Sequence, residues 1–118
     1  MLRNDERNSS IGEARFNELL LEVIDDRLTR LLGEEAKKTL YIYLKAVLFL
    51  ERENIGRELK LFHKGLKLLF GSSAIEMEDV IVKGLLSRLG LKISGKDTFV
   101  NFVEKAKTFL IVHEMKIR

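Results

Sequence analysis

The chain has 118 residues, 46% of them hydrophobic and 33% charged, a size that suits one domain built around one continuous core. Its 21 basic and 18 acidic residues leave a net charge of +3, a small surplus on a heavily charged surface that does not by itself argue for nucleic acid. Cysteine is absent, which excludes disulfides, thiolate metal sites and a cysteine nucleophile, and fits a reducing interior such as the cytoplasm.

The amino terminus, MLRNDERNSSIGEA, mixes charges of both signs and lacks the apolar run of a signal peptide. Residues 1–9 are expected to be disordered or poorly ordered, ahead of a single helical domain over 10–118. Ser10 and Glu13 have the spacing of a capping box, in which each side chain satisfies the other's free backbone N–H, and they predict a first helix from about Ile11. Ala14, Leu21, Ile24, Leu28 and Leu31 recur in three- and four-residue steps or their sums, flanked by Phe16, Leu20 and Val23, and Asn17 interrupts the apolar surface.

Gly33 marks a break, and Glu34 and Glu35 then place negative charge in a first helical turn. From Thr39 to Leu50 the only charged residue is Lys45. This run is far short of the roughly 20 residues that span a bilayer, and membrane insertion is not expected. Glu34, Lys38 and Lys45 fall on one narrow helical strip, which a strand's period of two would not produce, so the stretch predicts a second helix with Leu40, Tyr43, Leu44 and Val47 packed inside. Such a helix belongs at the centre of a bundle.

Residues 52–56 read as a polar connection. A third helix follows from about Arg57 to Phe70 and ends at Gly71. Ser73 and Glu76 repeat the capping-box spacing ahead of a fourth helix with Met77, Val80, Ile81, Leu85 and Leu89 on its apolar side, ended by Gly90. Asp97 is placed to cap a fifth helix, whose inner face is Phe99, Phe102, Val103, Ala106, Phe109 and Leu110. The fold class is therefore all-α: a compact bundle of about five helices with a central apolar helix.

The order of these motifs, LGEEAKKTLYIYL, GLKLLFGSSAIEMEDVIVKGLLSRLGLK and FVNFVEKAK, resembles a small archaeal signal-transduction family, the Nitrosopumilus-type output domain, over roughly residues 28–110. The residues that carry the resemblance are Gly33, Tyr41, Phe70 with Gly71, Ala74, Leu89 to Leu91, and Phe99 to Lys107. Family members often have proline before the third helix, where this chain has ERENIG. The resemblance implies a helical regulatory or output module without a catalytic motif, and it supplies no site residues.

Nothing in the residues themselves spells out a reaction. His63 and His113 lack an i, i+4 partner for a helical zinc site. The carboxylate pairs Asp25 with Asp26 and Glu76 with Asp79 sit where solvation and helix dipoles place acids. SGKD at 94–97 lacks the first glycine of a phosphate loop, and FGSS has no nucleophile elbow around it. No catalytic, cofactor-binding or metal-ligating residue is assigned.

The third helix carries the strongest surface signal. Arg57, Lys60, Lys64 and Lys67 form a basic row, and over residues 57–71 four cations face Glu58 alone, a local charge of +3. The row is either a solvated outer face or a contact for an acidic partner or phosphate backbone. Sequence-specific DNA reading is disfavoured, since the helix after GSSA opens with Glu76, Glu78 and Asp79, which phosphate would repel. Leu61 and Leu68 make a second apolar patch on the third helix, and Leu21, Ile24, Leu28 and Leu31 make a surplus on the first. Both are covered either within the bundle or in a symmetric dimer. The reading is a non-enzymatic interaction or output domain, homodimeric through these leucines and isoleucine, with a nucleic-acid module using the basic row as the alternative.

Overall fold

The first helix organises the molecule. In the computed structural model, which describes the backbone of residues 4–93 and 95–117 and the side chains of 12–93 and 95–113, α1 spans Asn4–Leu32, α2 Glu34–Leu48, a 3₁₀ segment Arg52–Arg57, α3 Leu59–Phe70, α4 Ser73–Leu89 and α5 Phe99–Ile117. This is the expected all-α bundle, and no strand is present among the described residues.

At 1.5 Å per residue α1 is about 43 Å long, which matches the greatest dimension of the molecule, 41 Å. It touches α2, the 3₁₀ segment, α4 and α5. Its backbone is already helical at Asn4, so Ser10 and Glu13 lie inside the helix instead of opening it, and residues 4–9 continue it. Residues 1–3 of the expected unordered terminus lie outside the described residues. The buried face of α1 is Phe16, Leu20, Val23, Ile24 and Leu28, while Ala14 and Leu31 are exposed. The apolar stripe is broad enough to be centred in more than one way, and the side with Phe16 removes more apolar area from water.

The central helix is thus α1, and α2 lies at the periphery. Only Leu40 and Leu44 of α2 are buried; Tyr43 is half-buried and Val47 is 49% exposed. Glu34, Lys38 and Lys45 reach solvent as expected, and Lys45 pairs with Glu51 at 3.5 Å. They share that surface with apolar residues. α2 is capped at its carboxyl end by Phe49 in the left-handed region, φ 55°, where the Phe49 N–H donates to the Lys45 carbonyl at 3.1 Å and the Leu50 N–H to the Leu44 carbonyl at 3.0 Å.

The expected polar connection is a 3₁₀ turn whose Ile55 is fully buried and whose Gly56 lies against Asn17 and Leu20 of α1. Asn17 is thereby a packing partner of the turn. α3 buries Leu59, Phe62, Gly65 and Leu66. Gly65 is a close-approach site, since a Cβ there would run into Leu44 and press on Leu48 of α2. Leu69 is exposed and Phe70 half-buried.

α4 buries Met77, Ile81 and Leu85 as predicted, with Val80 and Leu89 half-buried. It starts at Ser73 but without a side-chain cap bond, so the capping box does not form there. It ends in a Schellman motif: Gly90 sits at φ 67°, the Gly90 N–H donates to the Ser87 carbonyl at 3.2 Å and the Leu91 N–H to the Leu86 carbonyl at 2.9 Å. On α5, Phe99, Val103 and Ala106 are buried, Phe102 and Leu110 half-buried, and Phe109 exposed beside His113, with which its ring stacks at 5.8 Å. The cap of α5 is displaced by one residue from the prediction: Thr98 Oγ1 accepts the Asn101 N–H at 3.1 Å. Asp97 braces the same turn by accepting from the Thr98 N–H, the Asn101 amide and the Lys105 ammonium, each at 2.8 Å.

Candidate interaction surface

The four cations of the predicted row stay together in space. Lys60, Lys64 and Lys67 lie along the outer side of α3, Arg57 closes the 3₁₀ segment just before it, and all four are exposed. Among the described residues none of their side chains makes a hydrogen bond or an ion pair. Most cations elsewhere do: Arg30 pairs with Asp26 at 3.2 Å, Lys37 with Glu34 at 3.1 Å, Lys83 with Asp79 at 2.9 Å, Arg88 with Glu22 at 3.0 Å and Lys105 with Asp97 at 2.8 Å. Lys38, Lys92 and Lys96 are also unpaired but stand on other elements. Unneutralised positive charge is therefore concentrated on α3, where it raises the local potential.

Carboxylates bound this row. Glu58 and Glu104 share a shallow groove with Arg57 and Lys60. Beyond Lys67 the chain turns at Gly71 and Ser72 into the first turn of α4, with Glu76 exposed. Beside the row His63 is half-exposed, and its Nδ1 hydrogen-bonds the carboxylate of Glu78, which is only 5% exposed. Glu78, read from sequence as part of an acidic helix start, is the one buried charged residue among those described. The bond ties α3 to α4.

Of the expected dimer contacts, Ile24 and Leu28 have no exposed surface. They are core residues that a second copy cannot reach, a correction that follows from the central position of α1. Leu21 and Leu61 are half-buried against the core. Leu31 and Leu68 remain open, Leu68 at 56%.

A second apolar surface was not read from sequence. Ile42 and Ala46, four residues apart, share one side of α2, Phe49 caps its carboxyl end, and all three are exposed, Ile42 at 67% and Phe49 at 88%. The available signal was the lack of any polar residue at these three positions, which reads equally as a helix covered on every side.

Asp25 and Asp26, adjacent in sequence, part company. Asp26 faces solvent with Arg30, whereas Asp25 accepts the Tyr41 hydroxyl and the Arg52 guanidinium, Arg52 Nε standing 3.2 Å from Oδ1. Burial pushes the Asp25 carboxyl up, but the hydrogen bonds from Arg52 and Tyr41 and the charges of Arg52 and Lys37 outweigh it and hold the group below its ordinary value. Tyr41 is pushed up by burial and by the Asp25 acceptor. This cluster joins α1, α2 and the 3₁₀ segment. Among the described residues no group of three or more His, Cys, Asp or Glu is placed to hold a metal ion, and no helix is long and apolar enough to cross a membrane.

Comparison with protein-family models, curated proteins and solved structures finds no match for this chain, and the resemblance to the archaeal output domains rests on motif order alone.

Proposed function

We propose that this chain is a non-enzymatic helical interaction module of cytoplasmic regulation or signal transduction, and that it acts through contacts with a second copy of itself on the outer side of α2. The observation that carries this reading is Phe49. An aromatic side chain 88% exposed forfeits most of its burial energy, and the left-handed backbone beneath it costs on the order of 1–2 kcal/mol in a residue with a Cβ. Both costs are offset when the ring enters a partner, and exposed aromatics flanked by aliphatic residues are the usual anchors of interfaces. Ile42 and Ala46 extend the patch along one helix face, which suits a two-fold pairing of α2 with α2. The motif order shared with the output-domain family supports assigning the contact to signalling.

Light scattering over a micromolar range tests this. The native chain is expected to move from 13.6 kDa toward twice that mass with concentration, and Phe49→Asp is expected to hold it at the lower value. A native chain that stays at the monomer mass throughout overturns the reading.

A further inference from the structure

We infer that the outer face of α3 is a docking site for an acidic amphipathic helix of a partner protein. This surface is separate from the self-association surface on α2. Lys60, Lys64 and Lys67 advance by four and three residues, about 6 and 4.5 Å along the axis, which are the intervals at which acids at i, i+4 and i+7 of a second helix present their carboxylates. All three ammonium groups are unpaired among the described residues, so a partner's carboxylates compete with nothing in this chain.

Two further observations favour a protein helix over a nucleic-acid backbone. Leu61 and Leu68 lie three residues before and four after Lys64, so an apolar ridge runs beside the basic row, and Leu68 is 56% exposed. A phosphate backbone leaves that ridge in water, whereas the apolar stripe of an amphipathic helix covers it. The positive surface is also finite, with Glu58 at one end and Glu76 beyond the other. A polymer of continuous negative charge meets these carboxylates, while a helix with a few acids ends before them.

The test is fluorescence anisotropy at low salt with three labelled probes: a synthetic helical peptide of about 16 residues bearing Glu at i, i+4 and i+7 beside a row of Leu, a single-stranded DNA and a DNA duplex of similar length. The peptide is expected to bind most tightly, with affinity falling as salt rises. It should bind at least about tenfold more weakly when Lys60, Lys64 and Lys67 are all changed to Glu, and several-fold more weakly in Leu68→Ser. Because these side chains are exposed, circular dichroism should show the variants folded. Phe49→Gly should bind the peptide as the native chain does, which separates this site from the dimer surface. The inference is overturned if the peptide does not bind, or if either DNA binds more tightly than the peptide and Leu68→Ser leaves all affinities unchanged.

Discussion

α1 carries charged residues along its whole length and yet buries Phe16, Leu20, Val23, Ile24 and Leu28, whereas α2, with Lys45 as its only charge after Lys38, buries Leu40 and Leu44 and leaves Ile42, Val47 and Phe49 in solvent. The difference lies in what surrounds each helix. α1 has four neighbouring elements and therefore two sides to bury; α2 packs on α1 and α3 and keeps its remaining surface open. Apolar content predicted the opposite assignment. The proposal for α2 rests on this surplus of apolar residues over what its position buries.

The contrast can be broken most directly in the core of α1. Leu28→Ala should lower the free energy of unfolding by about 2–5 kcal/mol, the range for deleting a fully buried leucine side chain, as measured by urea denaturation. A loss below about 1 kcal/mol would place the hub of the bundle elsewhere. The joint between the two helices comes next. Asp25→Asn removes the charge that Arg52 and Tyr41 share and should cost about 1–2 kcal/mol at neutral pH, partial exposure of the ion pair keeping the figure low.

The same joint has a pH signature with a fixed sign. Because the Asp25 carboxyl is held below its ordinary value of 3.8, its contribution is complete above that value and is lost as pH falls through the lower folded value, and Asp25→Asn should flatten this part of the acid-stability curve. Asp97, held down to about 2 by hydrogen bonds from Lys105 first and then Asn101 and the Thr98 N–H, works in the same direction. Following its side chain by NMR titration should show a midpoint well under that of an ordinary aspartate, and Lys105→Ala should raise it.

Smaller effects sharpen the contrast on the α2 side. Phe49→Gly relieves the left-handed strain and should stabilise the monomer by about 1 kcal/mol while weakening self-association, two opposite signs from one substitution. Loss of monomer stability in this variant would show that Phe49 serves the fold. Ile42→Ala should change monomer stability by no more than about 0.5 kcal/mol. Both are to be measured at concentrations where the chain is monomeric, since association adds its own stabilisation.

How much of this was legible in sequence follows from which interactions are local. The breaks at Gly33, Gly71 and Gly90 were readable because glycine, lacking a Cβ, tolerates the positive φ that each break adopts, a property of the residue itself. The basic row was readable because helical spacing alone aligns Lys60, Lys64 and Lys67. The capping-box spacing at Ser10 misled, since it falls inside α1, whereas at Ser73 it marked the start of α4 although no side-chain cap bond forms there. The end of α2 carries no such signal, because a phenylalanine is not the residue that local preference puts in a left-handed cap.

By itself, then, the sequence determined the helical class, the places where glycine ends or begins a helix, and the charge on the outer face of α3. Tertiary structure alone decided that α1 is the hub, that Ile24 and Leu28 are core while Ile42 and Phe49 are surface, that Glu78 is buried against His63, and that Asp25 turns inward while Asp26 turns out. The reason is that a helical period shows which residues share a side and is silent on how many neighbours that side has. Burial is a property of the packed whole.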